Sequence, residues 1–271
     1  MDFANAIQTR SMGKDILTSA LNAQLEALKS RFNSELSPSL LGRLPTEKLP
    51  TERRAVSAFK SRVSLLLEYC VIQLLAEFVD EDTQGESRVS FNTLNEFADF
   101  FVRDGQWRRD LRIDVKTMHI ESLEASARYD TRIEDILPDD DYLLYLTWRW
   151  DRTTVKGVEL DFPVIIDGVF IRAIKVAEER DRRQLLARGS FDDNGYALAE
   201  SGNKDTNFGK INRLVHNTRK NSPDLDPGLK KLLRIIAAQP ALSAEPEPLK
   251  LAFLLADEED SEDTSSETES S

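Results

Sequence analysis

The sequence predicts an α/β protein, because helix-like and strand-like patterns of apolar residues follow one another along its 271 residues. Three stretches carry this prediction. Residues 98–119 are typical of two strands joined by a tight turn, residues 51–79 of a long buried helix, and residues 142–150 of a strand rich in apolar and aromatic side chains. The sequence therefore indicates a sheet against which helices pack.

The first 50 residues form an N-terminal helical region and a connector. Apolar residues recur at helical spacing up to about residue 35, at Ile16, Leu17, Leu21, Leu25 and Leu28. Prolines then mark a connector up to about residue 51. We assign residues 1–50 to this region, residues 51–256 to the main domain and residues 257–271 to a tail.

The second predicted helix is apolar around almost its whole circumference, in the run VSLLLEYCVIQLLAEFV, which indicates burial against the core. Glu68 stands in the middle of this run. A charge there is unfavourable unless it is paired. Two interpretations stay open at this point, a carboxylate at the edge of the helix packing and a buried acid directed at a metal ion or at Lys116.

The hairpin at residues 98–119 begins with a short apolar run and turns at Asp104-Gly105. Residues 111–118 then alternate, with one face made of Leu111, Ile113, Val115 and Thr117 and the other of Arg112, Asp114, Lys116 and Met118. Asp114 and Lys116 therefore share a face. The hairpin also returns Asp99 on the neighbouring strand.

The rest of the main domain alternates strands and helices. We predict a further strand at residues 162–170, a helix at 171–188 and a last amphipathic helix at 229–238. No apolar run approaches the roughly 18 residues that a membrane span needs. One cysteine, Cys70, excludes an internal disulfide framework. We expect a cytoplasmic protein with no membrane contact.

The formal charge of −12 lowers the expectation of a nucleic-acid partner. Residues 257–271, however, hold eight acids and no base, so removing them leaves −4 for residues 1–256. Such a run is typical of a solvated, disordered end. Binding to a polyanion depends on a local basic surface rather than on the average charge.

Asp99, Asp114 and Lys116 together suggest a metal-assisted site. Two carboxylates supply the hard oxygen ligands that Mg²⁺ prefers, and the carbonyl of Val115 could complete the set. A lysine beside the metal can orient or help to deprotonate a water and can stabilise a charged phosphorane. The simpler interpretation is a structural salt bridge between Asp114 and Lys116 on a solvated strand.

The spacing from Asp99 to Ile113-Asp114-Val115-Lys116-Thr117 resembles the core of the PD-(D/E)-x-K nucleases, closest to their type II restriction endonucleases. The resemblance covers roughly residues 68–119. It implies a mixed central sheet flanked by helices, the restriction-endonuclease-like fold. It also implies Mg²⁺-dependent cleavage of double-stranded DNA as part of a restriction system, by what is usually a homodimer.

By this resemblance, Asp99 and Asp114 match the two acids, Lys116 matches the lysine, and Glu68 loosely matches an acid that some members place on a preceding helix. Ala98 stands where the motif has proline, so the choice of the first acid stays open. Asp104 and Asp110 are the alternatives. We prefer Asp99 because Asp104 lies in the predicted turn.

For DNA contact, the least neutralised basic segment is residues 202–220, with Lys204, Lys210, Arg213, Arg219 and Lys220. Lysine and arginine grip phosphate or read guanine, and the asparagines of this segment can read adenine. The alternative is a plain basic loop. Arginines around the hairpin and at residues 180–188 are further basic clusters.

Two other functions stay open. The protein could be a non-catalytic interaction protein that acts through its acidic tail, as a mimic of DNA or as a dock for a basic partner. It could also be a repair or recombination nuclease with the same core. The pattern of DNA fragments distinguishes these from a site-specific endonuclease.

Overall fold

The computed structural model describes residues 6–7, 9–93, 97–120, 131, 133–179 and 225–237. Its centre is a five-stranded sheet in the order β1-β2-β3-β4-β5. The strands are Arg88–Phe91 (β1), Phe100–Arg103 (β2), Arg109–His119 (β3), Asp141–Val155 (β4) and Val158–Arg172 (β5). The α/β prediction is confirmed.

The sheet is mixed. β1, β2 and β3 form an antiparallel meander, β3 and β4 run parallel, and β4 and β5 form a long antiparallel hairpin. Arg112 and Asp141 face each other where the parallel pair begins, and the guanidinium grips both carboxylate oxygens at 2.5 Å. Asp141 is fully buried, so this pair fixes the register of β3 against β4.

Helices cover both faces of the sheet. The N-terminal helices are Lys14–Ala23 (α1), Leu25–Arg31 (α2) and Ser37–Leu40 (α3), and a π-helical turn, Phe32–Leu36, joins the last two. With the long helix Arg53–Thr83 (α4) they pack on the face that carries Ile113 and Val115. Among the described residues this core is the larger of two, and its members range from Ala6 to Phe170.

The second core lies on the opposite face, which carries Leu143 and Tyr145 of β4. Helix Pro227–Ala237 (α5) covers it with Leu229, Leu232 and Leu233, together with the helical residues 173–179. The predicted last helix is therefore present. Of the helix predicted at 171–188, residues 173–179 are helical and residues 180–188 lie outside the described part of the chain.

The N-terminal region closes the outer edge of β5. The Asn22 side chain exchanges two hydrogen bonds with the backbone of Phe170, at 2.8 and 3.0 Å, and Asn33 does the same with Ile165, at 2.9 and 2.8 Å. The backbone of Arg43 then forms an antiparallel bridge with the backbone of Asp161, as a residue of a neighbouring strand would. Side-chain amides thus satisfy backbone groups that an edge strand otherwise leaves exposed.

Helix α4 is longer than predicted, because it continues beyond residue 79 to Thr83. The prediction that it is buried almost all round is wrong on one side. Leu65, Leu66 and Tyr69 are 52%, 49% and 49% exposed, and the Tyr69 ring stacks on Phe91 with centroids 5.3 Å apart. No helix within the described residues has the length and apolar character to cross a membrane.

The boundaries at residues 50 and 256 remain predictions. By its contacts the chain divides into residues 1–240 and 241–271. Residues 238–271, including the acidic tail, lie outside the described residues.

We predict that Asn33→Ala lowers the free energy of unfolding by about 1–3 kcal/mol, because it leaves the N–H and C=O of the buried Ile165 without their amide partner. Urea denaturation measures this loss. Ser34→Ala, at the neighbouring exposed position, is the control and should change stability by at most about 0.5 kcal/mol. Equal stability of the two variants would show that the amide bridge contributes nothing.

Candidate functional site

The candidate site lies at the point where the pairing between β2 and β3 ends. β2 begins at Phe100, opposite Ile113, and the N–H of Asp99 still donates to the Ile113 carbonyl at 3.0 Å. The next N–H groups on this edge of β3 bind carboxylates. Val115 donates to Oδ2 of Asp99 at 2.7 Å, and Thr117 donates to Oε1 of Glu68 at 3.1 Å. The carboxylates of Asp99 and Glu68 therefore accept the hydrogen bonds that a neighbouring strand would otherwise accept.

Asp114 and Lys116 project from β3 on either side of the first of these contacts, at Val115. The Lys116 Nζ lies 2.9 Å from Oδ1 and 2.8 Å from Oδ2 of Asp114. The alternation predicted from the sequence is what brings them together, since residues two apart on a strand share a face. The sequence leaves open whether Glu68 is directed at this site, because its position depends on how α4 crosses the sheet. The structure brings its carboxylate to the N–H of Thr117.

The lysine keeps its positive charge at neutral pH. Burial lowers the pKa of Lys116, but the charges of Asp114, Asp99 and Glu68 outweigh it and raise that pKa above its ordinary value. A charged ammonium donates hydrogen bonds and stabilises negative charge, and it has no lone pair to accept a proton. Orienting a water, one of the two roles predicted for Lys116, fits this charged state.

Glu68 is the group that titrates near neutral pH. Burial raises its pKa to about 7, with smaller upward contributions from Asp99 and Asp114. The charge of Lys116 and the N–H of Thr117 act in the opposite direction. A carboxyl group with such a pKa can exchange a proton at physiological pH, which is what general acid–base catalysis requires.

Helix α4 is held in register by contacts one turn before Glu68. The hydroxyl of Thr117 donates to the carbonyl of Ser64 at 3.0 Å, and the indole N–H of Trp148 donates to the Ser64 hydroxyl at 3.1 Å. Ser64 precedes Glu68 by four residues, so both lie on one side of the helix. The sequence does not single out Ser64, and the only indication of its role there is the spacing of four residues to Glu68.

Backbone geometry sets the position of Asp99. Ala98 is buried and has a φ of 88°, a left-handed conformation that only glycine adopts readily. Asn92 holds the strand ends together, since its side-chain amide donates to the Ala98 carbonyl at 2.8 Å and its N–H to the Asp99 carbonyl at 2.9 Å. Proline fixes φ near −65°, so the proline of the motif does not fit at position 98.

Of the two alternative first acids, Asp104 lies away from the site, and the side chain of Asp110 is not among the described parts of the chain. Asp104 is in the β2–β3 turn, where it accepts the N–H groups of Gln106 and Arg108 at 2.9 Å and binds the Arg108 guanidinium. The side chain of Asp110 is outside the described part, as are the predicted DNA-binding residues Lys204, Lys210, Arg213, Arg219 and Lys220. Those assignments stay predictions.

Of the two histidines, His119 lies within the described residues. It is buried against Trp148, with ring centroids 4.5 Å apart. Burial, with a smaller contribution from the charge of Lys60, lowers its pKa to about 4. The ring is therefore neutral at physiological pH and serves as packing.

The donor set fits a hard cation such as Mg²⁺. Asp99 and Asp114 supply carboxylate oxygens, and Val115 supplies a carbonyl on the same edge as its N–H, because both groups of a strand residue point the same way. No three His, Cys, Asp or Glu side chains within the described residues form a ready metal cluster. Mg²⁺ needs only one or two carboxylates when water and substrate phosphate complete its shell.

Comparison with known proteins gives no match. No protein-family model, no curated protein and no solved structure matches this chain. Its chemistry is therefore inferred from the geometry around β3.

We predict that Glu68→Gln changes the pH dependence of stability. Because Glu68 holds its proton more tightly in the folded than in the unfolded protein, protonation of Glu68 stabilises the fold. This stabilisation is complete below pH 4.5 and is lost as the pH rises through about 7. The stability of the parent relative to the variant should fall by about 3 kcal/mol across this range. His119 titrates in both proteins, so the difference between two urea series isolates Glu68. A difference that does not vary with pH would contradict the burial of an ionisable group here.

We predict that Ala98→Pro lowers the free energy of unfolding by more than about 3 kcal/mol, because proline cannot adopt a φ of 88°. Ala98→Gly relieves the strained backbone and should be neutral or stabilising. Thermal melts of the two variants measure the contrast. A proline variant as stable as the parent would mean that residue 98 has an ordinary backbone conformation.

Proposed function

We propose that this protein is a Mg²⁺-dependent endonuclease that hydrolyses phosphodiester bonds in double-stranded DNA, as a type II restriction enzyme does. The observation that carries the proposal is the gathering of three acids and one lysine at one point on β3. Asp114 and Lys116 lie together, Asp99 binds the backbone between them, and Glu68 binds the backbone just beyond.

This set supplies what phosphodiester hydrolysis needs. The reaction requires an oriented water, compensation of the charge that builds up on the phosphate, and stabilisation of the leaving oxygen. Asp99, Asp114 and the Val115 carbonyl would hold Mg²⁺. When bound, the ion supplies Lewis-acid compensation of the phosphate charge and lowers the pKa of a water.

The protein's own groups supply the rest. The Lys116 ammonium donates hydrogen bonds to the attacking water or to a phosphate oxygen, so it orients the one and offsets the charge of the other. Glu68, with a pKa of about 7, accepts or returns a proton close to this lysine. The hydrogen bond from Thr117 holds the Glu68 carboxylate at the edge of the strand.

The fold supports this assignment at a coarser level. A mixed five-stranded sheet with helices on both faces is compatible with the restriction-endonuclease-like architecture, which we propose for this chain. The proposal extends to a homodimer on duplex DNA, to DNA contact through residues 202–220 and to a cytoplasmic location. A structural salt bridge alone accounts for Asp114 and Lys116, but not for the added presence of Asp99 and Glu68.

We predict that the purified protein cleaves plasmid DNA when Mg²⁺ is added and not when EDTA is present. Asp114→Asn and Lys116→Ala should each reduce the rate by at least about 100-fold. Lys156→Ala, in the exposed β4–β5 turn, is the matched control and should retain full activity. Melting curves establish that each variant is folded.

The fragment pattern distinguishes the alternatives. Discrete fragments support a site-specific enzyme, whereas fragments defined by ends or by DNA structure support a repair or recombination nuclease. A parent protein that leaves DNA intact with Mg²⁺, or a Lys116→Ala variant that cuts as fast as the parent, would contradict the proposal. The interaction-protein alternative would then be favoured.

A further inference from the structure

A row of arginines crosses the first three strands of the sheet. The register pairs Arg88 of β1 with Arg103 of β2, and Arg103 with Arg109 of β3. Residues paired across antiparallel strands point to the same face and lie about 5 Å apart. Like charges placed directly opposite one another are destabilising, so this row is a feature that the fold itself does not favour.

The arginine row lies on the same face of the sheet as Asp114 and Lys116. The guanidinium of Arg109 is 4.3 Å from the ring centroid of Phe101, whose partner on β3 is Arg112. Arg112, Asp114 and Lys116 then follow one another at alternate positions along β3. Asp114 lies five positions after Arg109, which is at most about 16 Å along the strand because the register shifts between Val102 and Arg103.

Two charges of the row, those of Arg88 and Arg103, keep their positive potential towards solvent. Arg103 donates to two neutral oxygens, the Ser90 hydroxyl at 2.6 Å and the Trp107 carbonyl at 3.0 Å. Neither Arg88 nor Arg103 forms an ion pair with an acid in the described part of the chain. Arg108, by contrast, is neutralised by Asp104 at 2.7 Å and does not belong to the row.

The turn beside the row presents an exposed tryptophan. Trp107 is 64% exposed and has a φ of 62°, which is unfavourable for a bulky residue. Asp104 fixes this turn, because its carboxylate accepts two backbone N–H groups and its carbonyl accepts the N–H of Trp107 at 2.8 Å. A strained backbone that holds an apolar ring in solvent is typical of a binding position.

We propose that Trp107 and the row formed by Arg88, Arg103 and Arg109 bind the substrate polynucleotide outside the cleavage site. The guanidinium groups contact phosphates of the backbone, and the indole ring stacks on a base or wedges at the edge of a base step. This inference rests on the proposed function for the identity of the polymer, DNA.

The spacing suits one continuous ligand. About 16 Å along β3 corresponds to about five base pairs at 3.4 Å each, so a duplex at the cleavage site can reach the row on the same face. Aromatic rings next to guanidinium groups are the combination that binds nucleic acids through stacking and charge. An anionic lipid surface also offers phosphates, but the position of the row on the same face as Asp114 and Lys116 favours DNA.

Fluorescence anisotropy tests the arginine row. The probe is a fluorescein-labelled DNA duplex of 30 base pairs, titrated with the full chain in EDTA so that no cleavage occurs. Arg103→Gln and Arg88→Gln should each weaken binding several-fold and reduce the slope of log K against log salt by about one. Arg62→Gln, which removes the same charge from an exposed position on α4, should leave both quantities unchanged.

Trp107→Gly tests the indole, because its two readouts should move in opposite directions. Glycine adopts a φ of 62° without strain, so the melting temperature should stay the same or rise. Binding to the same duplex should nevertheless weaken by roughly tenfold, since a stacking ring is lost. A variant that melts higher and binds as tightly as the parent would show that the ring contacts no DNA.

The possible outcomes separate this inference from the proposed function. If the parent cleaves DNA but the variants at 88, 103 and 107 bind as it does, the inference is wrong and the endonuclease stands. If the parent cleaves nothing but its binding depends on these residues, the inference stands alone. Absence of any DNA binding, or binding only to vesicles that contain phosphatidylserine, overturns the inference.

Discussion

The edge of β3 beyond Ile113 is the constraint on which the candidate site depends. A strand N–H group that is left without an acceptor in a partly buried place costs free energy, and here the oxygens of Asp99 and Glu68 accept from Val115 and Thr117. Because successive N–H groups on this edge are two residues apart, the two carboxylates must lie close together. Asp114 and Lys116 project from the same four residues, so one strand edge gathers all the charges.

This gathering creates an excess of negative charge. Three carboxylates and one ammonium leave a net charge of −2 when all are ionised, in a region where solvent screening is reduced. The protein responds through Glu68, whose pKa rises to about 7 because burial disfavours its anion. The same excess keeps Lys116 protonated and would attract the divalent cation that we propose.

The sequence predicts the parts of this arrangement that follow from local rules. Alternation along residues 111–118 places Asp114 beside Lys116, and the Asp-Gly turn returns Asp99. It cannot predict that Thr117 binds Glu68, because that contact depends on the register between α4 and β3. Nor does it show the amide bridges of Asn22 and Asn33 or the left-handed backbone at Ala98, since polar helix residues and alanine carry no signal for either.

The residues that shape this site make the fold less stable. A buried Glu68 anion makes the folded state less stable than a neutral acceptor for the Thr117 N–H would, and the left-handed backbone at Ala98 is strained. The two cores on either side of the sheet outweigh these costs, and the contacts from Ser64 to Thr117 and Trp148 hold α4 where the carboxylate meets the strand. Since a neutral acceptor such as an amide oxygen would satisfy the N–H of Thr117 without a buried charge, an ionisable group here argues for a function that uses it.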